Sequence, residues 1–222
     1  MSEEKLTESV IRHTLSTTGI MIGFTVIGTV LLAATYFTTR LPILDSERQA
    51  KLKLFAQVLS AALHDNDLLK DGVAVPAGGD LGNRETTFAY RARLAGQPAA
   101  VVLEATAPDG YSGDIKLLIA VRADGELAGV RVLTHKETPG LGDYIDIAHS
   151  DWIQKNFDGQ SIAKTSDDRW KVKKDGGSFD YMAGATITPR AVVKAVHKAL
   201  QYFAAHREEI FSAPVAKESE HG

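Results

Sequence analysis

The sequence predicts an α+β protein, with a single N-terminal transmembrane helix followed by one domain that has a mostly antiparallel sheet and packed helices. Three observations lead there. Residues 14–39 carry no charge. Between Phe88 and Leu133, short apolar stretches rich in β-branched residues follow one another, with turn signals between them. After Pro189, Val192, Val196, Ala199, Leu200 and Phe203 recur at three- and four-residue spacing, which gives a helix one apolar face.

Taken in order, the chain starts with a polar segment, 1–13, carrying Glu3, Glu4, Lys5, Glu8 and Arg12. The apolar centre of the next segment runs from Gly19 to Phe37. At about 1.5 Å per residue it reaches roughly 28 Å, close to a bilayer's hydrocarbon thickness. The run is long for a signal peptide and no small-x-small cleavage site precedes Arg40, which favours an uncleaved anchor over 14–39. Lys5 and Arg12 flank one side, and Arg40, Arg48, Lys51 and Lys53 the other. By the positive-inside rule this count leans weakly towards a cytoplasmic C-terminal part.

Pro42 is expected to end the anchor, with Asp45 or Ser46 capping a second, amphipathic helix. Leu52, Phe55, Ala56, Leu59, Ala62 and Leu63 would form its apolar face, a packing element over the domain. The stretch 65–82 is rich in Asp, Gly and Asn and reads as loop. Strands are expected over 88–94, 99–105, 115–122 and 127–133, the last two joined as a hairpin through Asp124-Gly125. Tyr111 to Gly113 reads as a loop near the sheet edge. A short helix is expected over 145–157 with Asp151 as a cap, and Trp152 and Phe157 in the core. Trp170 to Lys173 reads as a short strand, followed by a turn at 174–177. The chain from Arg207 onward reads as a frayed tail.

Composition narrows the function classes. A chain of 222 residues suits one domain plus appendages, and 44% hydrophobic residues allow a sizeable core. A formal net charge of -3 and the lack of a basic run argue against nucleic acid as a partner. The lack of cysteine excludes disulfides, thiolate metal sites, cysteine nucleophiles and cysteine-ligated iron–sulfur clusters in this chain. His197 and His206 make no metal pair with acids at helical spacing, so no metal site is expected. Gly140-Leu141-Gly142 lacks the third glycine of a dinucleotide fingerprint, and neither a nucleophile elbow nor a Walker loop occurs.

Two short segments carry candidate chemistry. In Ala183-Gly184-Ala185-Thr186-Ile187-Thr188-Pro189-Arg190, Thr188 reads as an N-cap and Pro189 as the first helical residue. Thr186 then sits in a small-residue turn beside a helix N-terminus, where orphan N–H groups and the helix dipole favour a phosphate. On spacing alone this is a capped helix start. The second segment is Glu137-Thr138-Pro139-Gly140-Leu141-Gly142, where two glycines let backbone approach a ligand; on pattern alone it is a turn.

Together, in this order, the two segments resemble the FMN-binding domain family that includes the G subunit of the Rnf electron-transport complex. The C subunit of the sodium-translocating NADH:quinone reductase shares that domain. Gly184 to Thr188 is similar to the family's flavinylation motif, (Ser or Asp)-Gly-Ala-Thr-x-(Ser or Thr), with Ala183 in place of Ser or Asp. The resemblance covers nearly the whole chain and implies FMN joined through a phosphoester to Thr186. It implies that Gly184, Ala185 and Thr188 surround that linkage, and that Glu137, Thr138, Gly140, Leu141 and Gly142 lie against the flavin. Lys171, on an otherwise solvated lysine face, would pair with the flavin phosphate or the reduced flavin anion.

The implied domain layout is 1–13 cytoplasmic N-terminus, 14–39 transmembrane helix, 40–85 amphipathic helix and connecting loop, 86–207 FMN-binding domain and 208–222 tail. The implied protein is an electron carrier, not catalytic alone, in a bacterial inner-membrane complex that couples ferredoxin:NAD oxidoreduction to ion movement. Its partners would be the membrane, iron–sulfur and flavin subunits of that complex and an FMN transferase for maturation. The resemblance places the C-terminal domain in the periplasm, against the charge count. Alternatives are the quinone-reductase C subunit, a membrane-anchored structural or sensing module that has lost flavin, and a flavin reductase acting alone. The sequence assigns no separate substrate pocket.

Overall fold

The computed structural model describes residues 3–216, which divide into two compact units with the boundary between Lys51 and Leu52. The first unit is the greater part of helix α1 (Glu3–Val58). Its uncharged stretch is long and apolar enough to cross a membrane, and none of that stretch is buried within the chain. Threonine hydroxyls along it donate to carbonyls one turn back, as from Thr25 to Met21 at 2.9 Å and from Thr29 to Thr25 at 2.8 Å. These hydroxyls are thereby satisfied without water, which lets threonine sit in an apolar span.

Pro42 does not end the helix. It lies inside α1, and the expected break with a second capped helix is absent. A proline removes one backbone donor at a cost of about 3 kcal/mol, and helix-favouring neighbours on both sides carry the turn across. Ser46 is no cap either: its hydroxyl donates to the Pro42 carbonyl at 2.8 Å. Helix α1 then runs into the second unit and ends at Val58; Ala61–Leu63 is a 3-10 turn capped by Ser60. Of the expected apolar face, Phe55 and Leu59 are buried, joined by Val58, whereas Ala56 and Ala62 are exposed.

The second unit is built on a five-stranded antiparallel sheet in the order β1 (Gly72–Val75), β2 (Thr87–Leu94), β3 (Gln97–Ala107), β4 (Ile115–Arg122) and β5 (Leu127–Thr134). Strand β1 falls where a loop was expected; it pairs Gly72 with Tyr90 through Val75 with Thr87. Gly125 has φ +89, and its N–H closes the expected β4–β5 turn on Arg122 at 2.9 Å. Both faces of the sheet are covered. Val101, Leu103 and Ala105 of β3, with Leu117, Ile119 and Val121 of β4, join one core; Ala100, Val102, Leu118 and Ala120 join the other. This double burial explains why the strands read as apolar runs and not as strict alternation.

The first core is closed by α2 (Trp152–Phe157) and α3 (Ile187–Ser212), whose Val192, Val196, Leu200 and Phe203 are buried. The second is closed by Phe55, Val58, Leu59 and Leu68. Gly129 of β5 makes room for this layer, since a Cβ there would stand 2.7 Å from the Val58 carbonyl oxygen.

Three further expectations are corrected. The helix expected over 145–157 spans only 152–157, with a separate 3-10 turn at Asp143–Ile145. Asp151 pairs with Lys155 at 2.8 Å, and the Ser150 hydroxyl receives the Trp152 N–H at 3.1 Å instead. Trp170 to Lys173 is not a strand; tight turns hold it, with an isolated bridge between Val172 and Phe179. The chain is not frayed from Arg207, because α3 continues to Ser212. Arg91, buried in β2, donates to the carbonyls of Ile210 at 3.0 Å and Ala213 at 2.6 Å, and Arg93 to that of Phe211 at 3.1 Å. Cations at a helix C-terminus satisfy its orphan carbonyls and complement its dipole. Asp71 holds both guanidinium groups in place, receiving Arg91 Nε at 2.7 Å and Arg93 Nε at 2.8 Å. Of the expected tail, residues 217–222 lie outside the described residues.

Candidate flavin site

Glu137 joins three segments that are distant in sequence. Its side chain is 4% exposed, in the loop that leaves β5. One carboxylate oxygen accepts the Ser112 N–H at 3.0 Å, from the loop between β3 and β4. The other accepts the hydroxyl of Thr188, in the first turn of α3. The packing leaves no spare volume. A Cβ on Gly142 would lie 2.9 Å from both Glu137 Cβ and Thr188 Oγ1, and one on Gly110 would lie 3.0 Å from Glu137 Oε1. The N–H groups of Leu141 and Gly142 close the turn onto the Thr138 carbonyl at 3.1 and 3.0 Å.

These segments enclose a cleft of about 290 Å³, lined by Tyr111, Glu137, Thr138, Leu141, Gly142, Gly184, Ala185, Thr186, Ile187 and Thr188. Eight of the ten residues singled out in the sequence therefore meet in one place. Gly140 and Lys171 are not among the lining residues. Gly140 has φ +75, which shapes the turn, and no protein atom lies near its Cβ position. Lys171 is held on the turn before Phe179, where its carbonyl receives the Phe179 N–H at 3.1 Å.

The two threonines differ from what local signals suggest. Helix α3 begins at Ile187, so Thr186 occupies the cap position, Thr188 is the second helical residue and Pro189 the third. A proline there still lacks only an N–H that would be orphaned in any helix. The side chain of Thr186 makes no capping hydrogen bond. Thr188 is 1% exposed and its hydroxyl is committed to Glu137. The Thr186 hydroxyl is thus the uncommitted one, on a cleft wall at the N-terminus of a 26-residue helix.

A framework that the sequence reading missed fixes the turn before Thr186. The Met182 N–H donates to the Tyr144 hydroxyl at 3.2 Å, Trp152 Nε1 donates to the Asp180 carbonyl at 3.0 Å, and the Asp180 N–H donates to Asn156 Oδ1 at 2.7 Å. Burial pushes the Tyr144 hydroxyl up to about 12, with the Met182 N–H acting in the opposite direction. The Ala185 N–H closes on the Met182 carbonyl at 3.1 Å and Gly184 takes φ +89, so the backbone turns sharply before Thr186. Tyr111 and Ile187 also line the cleft without having been singled out. For Tyr111 the available signal was its position between Gly110 and Gly113.

The profile of the FMN-binding domain family matches residues 110–201, a span that contains the loop of Tyr111, Glu137 and the start of α3. The fold and cleft, with this match, define an FMN-binding-domain protein that carries a membrane-length helix. Relatives sharpen the class. The chain is 47% identical over 202 residues to the G subunit of the ion-translocating oxidoreductase complex of Pseudomonas aeruginosa (strain UCBPP-PA14), covering 90% of this chain and 94% of that protein. It is 44% identical over 195 residues to the corresponding G subunit of Vibrio cholerae serotype O1 (strain M66-2), covering 88% and 92%. With that of Shewanella oneidensis it shares 45% identity over 175 residues, covering 79% and 82%. The chain belongs to the G-subunit family of ion-translocating oxidoreductase complexes.

Proposed function

We propose that this chain is the FMN-carrying subunit of a membrane-bound, ion-translocating ferredoxin:NAD oxidoreductase complex, with FMN joined through its phosphate to Thr186 Oγ1. The observation that carries the linkage is the contrast between the two threonines. Thr188 Oγ1 is spent on Glu137, whereas Thr186 lines the cleft with no capping bond. The residues fit the group: a helix N-terminus favours the phosphate, and Leu141, Ile187 and Tyr111 offer apolar walls to a flat ring. Bound FMN accepts electrons and passes them on. Thr186 would anchor it, the cleft walls would exclude water from part of it, and Glu137 lines the same cleft. Covalent attachment suits a carrier outside the cytoplasm, where a lost flavin is not easily replaced.

The partners in this reading are the other membrane, iron–sulfur and flavin subunits of the complex, and an FMN transferase that delivers the FMN phosphoryl group to Thr186. The names of the relatives favour this complex over the quinone-reductase alternative. Residues 14–39 span the membrane once, with the domain in the periplasm. Three measurements test the reading. Flavin fluorescence should remain on the denatured protein, and native membranes should co-purify it with ferredoxin-linked partners. Loss of all flavin on denaturation would remove the covalent link. A C-terminal alkaline-phosphatase fusion should be active; activity only of a cytoplasmic reporter would reverse the topology in favour of the charge count.

A further inference from the structure

We infer that Tyr111 is the aromatic platform on which the isoalloxazine ring of the bound flavin stacks; this rests on the cofactor reading above. Tyr111 is the aromatic residue lining the cleft, and it is 67% exposed. Of the other aromatic rings near the site, Trp152 and Tyr144 are spent on the core, packed edge-on with centroids 5.4 Å apart, and Tyr181, though 38% exposed, does not line the cleft. Among the described residues the Tyr111 ring pairs with no other ring.

Its backbone, in contrast, is tied on both sides. Asp109 is ion-paired with Lys194 of α3, and the Ser112 N–H is bound to Glu137 at 3.0 Å. Gly110 is held where a Cβ would come within 2.2 Å of the Gly113 carbonyl oxygen. A large ring left open to water on a fixed loop is a poor use of burial energy but a good preformed ligand wall. Stacking of flat π-systems at centroid separations of about 4.5–7 Å fits such a wall. A cleft of about 290 Å³ is small for a whole mononucleotide, so one face of the ring needs a cover from the rim.

The test uses the flavinylated full chain in detergent, with loading of every sample verified by intact mass. A phenol in contact with an excited flavin quenches it by donating an electron, so Tyr111→Leu should lengthen the fluorescence lifetime several-fold. It should also raise the rate of collisional quenching by iodide. Tyr111→Phe should lengthen the lifetime, since benzene is a poorer donor, while keeping iodide quenching near the parent rate. If either the lifetime or the iodide quenching of loaded Tyr111→Leu matches the parent, the platform is overturned and the cofactor assignment stands. A parent protein that carries no FMN would overturn the cofactor reading itself.

Discussion

Thr188 donates its hydroxyl to Glu137, 51 residues earlier in the chain, and both side chains are buried. This contact locks the end of the sheet to the start of α3, and of the two threonines at that helix start it leaves Thr186 with the uncommitted hydroxyl on the cleft wall. Removing the carboxylate should be costly. Glu137→Ala strands the buried Thr188 hydroxyl, at about 1–3 kcal/mol for a buried group left unsatisfied, and also releases the Ser112 N–H. Thr188→Val and Glu137→Ala should not add: a double-mutant cycle by thermal unfolding should show a coupling of about 0.5–3 kcal/mol. Strict additivity would mean that the two groups do not share a bond.

The two glycines of the same turn should behave differently. Gly142→Ala puts a methyl 2.9 Å from Glu137 Cβ and Thr188 Oγ1, an overpacking expected to cost about 1–3 kcal/mol and to weaken flavin loading. Gly140→Ala meets open space, so only its φ of +75 counts, at about 1–2 kcal/mol, and loading should be largely kept. Unfolding midpoints and flavin content of the two variants check this; equal loss of flavin in both would contradict it.

Arg91 fastens the far end of α3. Arg91→Ala leaves Asp71 partly unpaired and the carbonyls of Ile210 and Ala213 uncapped, for a loss of about 3–5 kcal/mol. A protein beginning at Leu52 should be soluble without detergent, because the long apolar run lies before it, and chemical unfolding of that fragment measures the loss. A change below about 1 kcal/mol would mean that the C-terminal turns of α3 contribute little.

What was legible in the sequence follows from the range of the interactions. Strands β3 and β4 announce themselves through β-branched runs, β2 through imperfect alternation, and the β4–β5 hairpin through Asp124-Gly125, a turn that needs positive φ. Strand β1 hid because Gly72 to Val75 is four residues long among turn formers, and pairing with β2 supplies what its propensity lacks. Thr188-Pro189 carries a local cap signal, but a carboxylate from β5's loop takes the Thr188 hydroxyl and the helix starts earlier. The C-terminal turns of α3 looked polar because their anchors, Arg91 and Arg93, are more than a hundred residues away. The cleft residues were found by motif; Tyr144, Trp152 and Asn156, which hold the 180–182 backbone, carry no motif.

Tyr144 gives the site an alkaline limit. Its folded pKa, near 12, lies above the ordinary value of 10, so above pH 10 the unfolded chain releases a proton that the folded chain keeps. Stability is therefore fully present below about pH 10 and falls as pH rises towards 12. Tyr144→Phe should flatten that part of the profile while losing the hydrogen bond from Met182. Thermal melts across this range, with tyrosinate absorbance followed in parallel, check the sign. A parent protein that gained stability over the same interval would contradict it.

The central claim is that FMN is carried on Thr186. Its most direct measurement is peptide mass mapping of the protein expressed with an FMN transferase, for the parent, Thr186→Ala and Thr188→Ala. The account predicts FMN on the peptide's Thr186 in the parent and none in Thr186→Ala, which should still fold. It predicts FMN still on Thr186 in Thr188→Ala, at reduced yield because Glu137 has lost its partner. Flavin retained by Thr186→Ala, or mapped to Thr188 in the parent, would contradict it.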